Sequence, residues 1–459
     1  MAVTKRFIFN ILKGGISTTF CYGILPIAVL LGSCHSADTK KVIVAKDSTP
    51  IILLTTPVPL STAASAHIKA GSQKWYDSAL RPGSFNGGML VAKNGNIIFE
   101  AYNGNGHLNR HDVIDSLTPF HIASVSKTFT AMAVLKLWQD KKLNIDDAYN
   151  KYFPTFNYPG ITVRNLLSHR SGLPNYLYFM EDLKWPKDTL LHNQDVYNYL
   201  VNRKAELTNI TSPNTHFAYC NTNYALLALL VEKVSGQSFP NFLQDTFFTP
   251  LQMKHTFLFN SLDTSKVNPS YDWRGRIIPM NYLDGVYGDK NIYTTPRDLL
   301  IWDRALTSNL LFTPATLVEA YAPYSNEKGG IKNYGLGWRM NIYPNGKKTI
   351  YHNGWWHGNN AAFLRLLQDS ATVIVVGNKF NRNIYHAKQL ANLFGDYDGA
   401  GMEEDEGATS AKPVAQKVVR VRRIAPVKSK KAVVKKKVVA TKKTGKRVEK
   451  KVVKGKKRR

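Results

Sequence analysis

Two serines in this chain are followed three residues later by a lysine: Ser124 with Lys127, and Ser325 with Lys328. On a helix that spacing puts both side chains on one face, about one turn apart. A serine hydroxyl so placed can pass its proton to the amine. The free N–H groups of a helix N-terminus can then hold the oxyanion formed when the serine attacks a carbonyl. Ser124 lies in FHIASVSKTFTAMAVLKLWQ, where Phe129, Met132, Ala133, Leu135 and Leu137 form an apolar stripe at helical spacing. Ser325 lies in YSNEKGG, a polar loop with no helix after it. The spacing alone is a weak signal, since about two such pairs are expected by chance in a chain this long. The plain alternative makes Ser124 an N-cap and Lys127 an exposed first-turn lysine.

A helix carrying Ser124 needs elements to hold it. Upstream, a helical segment through Trp75 and Leu80 is ended by Pro82-Gly83. GGMLVAKNGNIIFEAYNG then reads as two β-rich runs joined by Asn94-Gly95, a strong hairpin signal. Downstream, residues 149–310 are helical and loop-rich, and Gly236 ends the apolar helix NTNYALLALLVEKVSG. Strands return from Gly335 as YGLGWRMNIY, KKTIYHNG, AAFLRLLQ and ATVIVVGN; the last is an unbroken apolar run, as expected of a central strand covered on both faces. A helix from about Arg382 to Phe394 closes the domain. The order implies an α+β fold in three layers: an antiparallel sheet completed by both ends of the domain, flanked by helices, with a helical lobe inserted at about 149–310.

The folded domain is expected over 66–396, with different material at either end. The net charge of +29 belongs mostly to the tail. Residues 412–459 hold 22 Lys and Arg against one acid, Glu449, a net +21 that leaves +8 for everything before them. A Lys/Val/Ala-rich tail cannot bury a core, so 397–459 is expected to be disordered, acidic first and then basic. It is either a solubilising extension or a grip on anionic lipid or an envelope polyanion. Residues 1–33 read as an export signal, with Lys5, Arg6 and Lys13 before the apolar run Ile16 to Gly32. Residues 34–65, rich in Ser, Thr, Ala and Pro, read as a tether. Of three cysteines, Cys21 leaves with the signal and Cys220 remains alone, which excludes an intrachain disulfide.

Beyond the single triplet, the chain resembles the serine β-lactamase and penicillin-binding-protein superfamily, in its class C β-lactamase, DD-peptidase and esterase branch. The blocks that carry the resemblance run from about Gly87 to Asn378: FHIASVSKTFTAMAVLKL, KLNIDDAYNKYFP, ITVRNLLSHRSGLPNY, FAYCNTNYALLALLVEKVSGQSF, FTPLQMKHT, NIYTTPRDLLIW, YGLGWRM and YHNGWWHGNN. So many blocks in order are far more specific than a triplet, and they favour Ser124 as the nucleophile. Leu31-Gly32-Ser33-Cys34 likewise resembles the lipobox of bacterial lipoproteins, which implies lipidation at Cys34 and a membrane anchor.

The resemblance implies the rest of the site. The family's Tyr-x-Asn motif falls on Tyr219-Cys220-Asn221, just before the apolar helix. Its Lys-Thr-Gly motif has a decoy in the tail, Lys443-Thr444-Gly445, while the positional equivalent is His352-Asn353-Gly354. Trp355 N–H and Ser124 N–H are then expected to bind the oxyanion, and Asn221, His352 and Gly354 to line the substrate site. His169 in LLSHRSGLP matches the family but no catalytic motif, and reads as structural. The implied chemistry is acyl transfer through a Ser124 acyl-enzyme, with Lys127 or Tyr219 as base, no metal and no cofactor. Because His replaces Lys, a permanent cation facing a substrate carboxylate is lost. That favours a cell-envelope peptidase (D-Ala-D-Ala type), esterase or amidase over a dedicated β-lactamase. A non-catalytic envelope-binding protein acting through its tail is the alternative from another class.

Overall fold

The structure, a computed structural model, describes residues 50–259, 261 and 267–398. The signal segment, Cys34 and the basic tail lie outside the described residues. All described residues belong to one compact unit.

Asn94 and Gly95 take φ of 51° and 77°. Two consecutive positive φ values make the tight turn whose twist matches the strands it joins, and it folds Gly87–Lys93 (β1) onto Asn96–Asn103 (β2). The chain continues through Phe120–His121 (β3) into the helix Ser126–Gln139, buried along most of its length. The lobe follows, with Asn221–Ser235 as its longest helix; Gly236 ends that helix at φ 73°, as its position in the sequence suggests. After the lobe come Lys332–Tyr334, Arg339–Ile342, Lys348–Trp356, Asn359–Leu366 and Ala371–Gly377.

The lobe is not purely helical, which corrects the sequence reading. It contains Phe257–Leu258 (β4), Ser270–Tyr271 (β5), Ile277–Ile278 (β6) and Ile292–Thr294 (β7), with β7 pairing to both β3 and β4. These two- and three-residue strands are too short to show a period of two. With the five later strands numbered β8 to β12, the main sheet runs β2-β1-β12-β11-β10-β9-β8, antiparallel throughout. Every residue of β12 is buried, and its neighbours β1 and β11 come from opposite ends of the domain.

Alternate residues of β1 enter different cores, as a pleated strand requires. Leu90 and Ala92 face the helix Ser126–Gln139 and the lobe, whereas Met89 and Val91 face the helices Thr62–Trp75 and Arg382–Leu393. Helix Pro296–Thr307, expected inside the lobe, instead covers the sheet: Asp303 accepts bonds from Arg365 of β11 and Thr372 of β12 at 2.5 Å each. The expected tether also ends earlier than residue 65. Ile52 N–H donates to Pro250 at 2.7 Å, Arg304 to the Thr55 carbonyl at 2.6 Å and Asn96 to the Val58 carbonyl at 2.7 Å, so the chain is fastened to the domain before the first helix begins at Thr62. Among the described residues no helix is long and apolar enough to cross a membrane.

Candidate active site

Ser124 sits in a tight turn, Ala123–Val125, that leads directly into the helix Ser126–Gln139. Ala123 holds φ at 46°, a conformation that costs a residue with a Cβ about 1–3 kcal/mol and persists only where its surroundings fix it. They do so here. Ala123 N–H donates to His121 Nδ1 at 3.1 Å, and the other ring nitrogen of His121 lies 3.2 Å from Asn291 Oδ1. Ile122 N–H donates to Ile292 O at 3.0 Å, and Ile292 N–H to Ser126 Oγ at 3.1 Å. Strand β7 therefore stitches down both sides of the turn.

Lys127 lies one turn on and is fully buried. Its Nζ is 3.1 Å from Ser124 Oγ and 2.9 Å from the Asp289 backbone carbonyl. The Tyr219 and Tyr224 rings flank it, with centres 5.0 Å and 5.6 Å away. An exposed first-turn lysine would have none of these contacts. Ser325, the other serine of this spacing, lies in a loop with its N–H on Asn333, and no helix brings Lys328 back to it.

Tyr219 is half-buried just ahead of helix Asn221–Ser235, which Asn221 opens. Its ring packs on that of His169, with centres 4.4 Å apart, and the Arg339 guanidinium lies 5.0 Å from its centre. Arg339 was not singled out from the sequence, although it stands inside YGLGWRM. The signal was the pairing of β9 with β10, which sets Arg339 beside Tyr351, next to His352.

Strand β10 closes the site. Its pairing with β9 stops at Tyr351, so the edge from His352 to Trp356 is left to face the nucleophile turn. The two-residue turn His357-Gly358 closes the pair Trp356 and Asn359. Ladder alternation then points His352, Gly354 and Trp356 amides toward β11, and those of Asn353 and Trp355 toward the site. Gly354 is the point of contact: a Cβ there would lie 2.2 Å from Ile122 O and 3.1 Å from Ser124 N. The expectation that His352 presents its imidazole to substrate is corrected. The ring is fully buried, with Nδ1 2.7 Å from Asn353 O and Nε2 3.3 Å from Tyr334 Oη. Burial, reinforced by the cations Arg339 and Lys127, holds its pKa well below the ordinary imidazole range. The sequence could not show this, because the partner Tyr334 comes from the far edge strand.

The domain carrying this arrangement matches the Beta-lactamase family over residues 77–393. The chain belongs to the beta-lactamase family. As a beta-lactamase family member it is a serine hydrolase, similar to penicillin-binding protein 4* of Bacillus subtilis at 30% identity over 312 residues, which span 64% of this chain and 68% of that one. The family fold recurs in two solved structures. A penicillin binding protein from Bacillus halodurans superposes with TM-score 0.60 at 23% identity, over 69% of this chain and 98% of its own. A D-amino acid amidase from Ochrobactrum anthropi SV3 superposes with TM-score 0.58 at 20% identity, over 72% and 97%.

Proposed function

We propose that Ser124 is the nucleophile of an exported hydrolase that cleaves a D-Ala-D-Ala-type envelope peptide, an ester or an amide through an acyl-enzyme. The observation that carries this is the buried Lys127 Nζ, 3.1 Å from Ser124 Oγ and anchored on Asp289 O. As amine, Lys127 takes the Ser124 proton, directly or through Tyr219, while Oγ bonds the carbonyl carbon. The oxyanion is held by the Ser124 and Trp355 amides, a site the close approach of Gly354 keeps narrow. When the carbonyl carbon releases its leaving group, Tyr219 gives that group its proton and recovers one from Lys127; water then attacks the acyl carbon and gives a proton to the base, which passes it to Oγ as the acyl–Oγ bond breaks.

Arg339 supports a carboxylate-bearing substrate, since it supplies beside Tyr219 the permanent cation that the sequence reading of His352 lacked. The same cation would serve a β-lactam carboxylate, and that is the second reading. The names of the relatives, a penicillin-binding protein and a D-amino acid amidase, agree with hydrolysis at amide-like carbonyls. Covalent labelling of Ser124 by a fluorophosphonate and by a fluorescent penicillin, each in competition with D-Ala-D-Ala peptides and esters, tests the reading. Protection by the peptide at lower concentration than by penicillin supports the peptidase; no labelling of Ser124 by either reagent refutes both readings.

The lipobox-like Leu31-Gly32-Ser33-Cys34 supports attachment at the outer face of a bacterial membrane. Labelled fatty acid on the wild type and none on Cys34→Ala is the expected result. The tail from Lys412 would add a salt-sensitive grip on anionic lipid or envelope phosphate.

A further inference from the structure

His169 carries none of the reacting groups in the scheme above, yet it grips Tyr219 at three points. Its backbone carbonyl accepts the Ala218 N–H at 2.9 Å. Its Nδ1 accepts the Cys220 N–H at 3.1 Å. Its ring lies 4.4 Å from the Tyr219 ring centre, tilted by 40°. One residue thus holds the amide on either side of Tyr219 and the side chain between them. Nδ1 is itself steadied by Asn223 Nδ2 at 3.3 Å, and Asn223 Oδ1 accepts from Ser171 Oγ at 2.6 Å.

Since Nδ1 accepts, the ring proton sits on Nε2, and Nε2 has no hydrogen-bond partner among the described residues. An apolar side chain would fill the same buried space without leaving an N–H unpaired. What imidazole adds here is the acceptor at Nδ1. Burial, with Lys127, His352 and Arg339 around it, pushes the ring's pKa well below its ordinary range, so the acceptor stays unprotonated.

We propose that His169 is a positioning residue for Tyr219, fixing the phenol beside Lys127 through the paired grip on the Ala218 and Cys220 amides. The proposal rests on the reading that Tyr219 moves the proton at Ser124. His169 has φ 56°, a region that asparagine tolerates better than most residues with a Cβ. Asn also places Oδ1 where the imidazole has Nδ1. Leu has the same size and no acceptor.

The test compares His169→Asn, His169→Leu, Tyr219→Phe and the double variant His169→Leu/Tyr219→Phe on a D-alanine p-nitroanilide, with thermal midpoints as the fold control. His169→Leu is expected to lower kcat about 100-fold, the cost of a misplacement near 1 Å, with KM within about threefold. His169→Asn is expected to rescue kcat to within about tenfold of wild type. In the Tyr219→Phe background His169→Leu should add no further loss, because the group it positions is already gone. Should His169→Leu not fold, His169→Gln, which withdraws the acceptor from the δ position, takes its place. Equal loss in the Asn and Leu variants, or the same loss again in the Tyr219→Phe background, overturns the proposal and leaves the acyl-enzyme reading standing. Full activity in Tyr219→Phe overturns the role of Tyr219, and the positioning with it.

Discussion

The Arg339 guanidinium lies 5.0 Å from the centre of the Tyr219 ring, the same distance at which Lys127 Nζ approaches that ring. Two cations thus attend one phenol, one from the helix behind Ser124 and one from β9. A ring so placed favours positive charge at its face, and both cations favour any negative charge that develops on its oxygen. The division of labour follows from burial. Lys127 is sealed in the core, whereas Arg339 is only partly buried, so part of its surface reaches solvent.

Replacing Arg339 by Gln should therefore discriminate between substrates. KM for a peptide ending in a carboxylate is expected to rise about tenfold or more, the worth of a charge-assisted contact. Turnover of p-nitrophenyl acetate, which has no carboxylate, should change by less than about threefold. Steady-state kinetics on both substrates decide it. Equal loss on both would mean that Arg339 serves Tyr219 and does not meet the substrate.

The three buried imidazoles near the site make the stability of the fold depend on pH. His121, His169 and His352 all have pKa values pushed below 6.5, burial being the largest cause, and His121 falls to about 4. Below pH 6.5 the unfolded chain binds protons that the folded chain refuses, so stability is full above that value and is lost as pH falls from 6.5 toward 4. Urea unfolding at pH 7.5, 6 and 5 should show a declining midpoint, and His121→Asn should flatten the decline. Binding of an anionic substrate should show no gain as pH falls through 6.5, since His352 stays neutral there. A gain that His352→Gln abolishes would return the imidazole to the substrate site.

How much of this was legible beforehand depended on whether a signal was local. The Asn94-Gly95 turn, the apolar β12 and the Gly236 helix end each follow from a few adjacent residues, and each stands where the sequence suggests. Ser124 and Lys127 are a local pair on a helix, so their proximity was readable too. Arg339 and the sealed state of His352 were not, because both depend on sheet register between strands that are separated by a turn or contributed by distant edges. His169 reads as structural in the sequence because it matches no catalytic motif. Its grip on Tyr219 joins residues fifty apart, and nothing in LLSHRSGLP points to Ala218 or Cys220.

The choice between the two Ser-x-x-Lys sites has a direct test. Ser124→Ala and Lys127→Ala should each lower kcat at least about 1,000-fold, as for members of a nucleophile and base pair that act as a unit, and their double variant should be no worse than either. Ser325→Ala should keep wild-type kinetics, because its loop makes no contact with Lys127, Tyr219 or β10 in the hydrogen bonds it forms. Circular dichroism on all four variants separates loss of chemistry from loss of fold. An inactive Ser325→Ala beside an active Ser124→Ala would move the nucleophile.

Gly354 offers the sharpest separation of catalysis from stability. A methyl group there would stand 2.2 Å from the Ile122 carbonyl oxygen, far inside contact distance, and 3.1 Å from both Ser124 N and Ala123 Cβ. The oxygen belongs to backbone that β7 holds through Ile122 N–H and Ser126 Oγ, so it cannot swing aside as a flexible side chain would. Something must give, and the edge of β10 beyond Tyr351, where pairing with β9 has stopped, is the partner expected to shift. Moving that edge outward by about 1 Å would carry the Trp355 amide away from the Ser124 amide and widen the oxyanion site, for which a loss of about 100-fold or more in kcat is expected. The core is little touched, since the strand stays paired to β11 along its whole inner edge. Gly354→Ala should accordingly cost far more in kcat than in thermal midpoint, and a transition-state mimic such as a boronic acid should lose affinity in proportion to kcat. A variant that unfolds before it loses activity, or one that keeps both, would mean that β10 does not supply the second oxyanion donor.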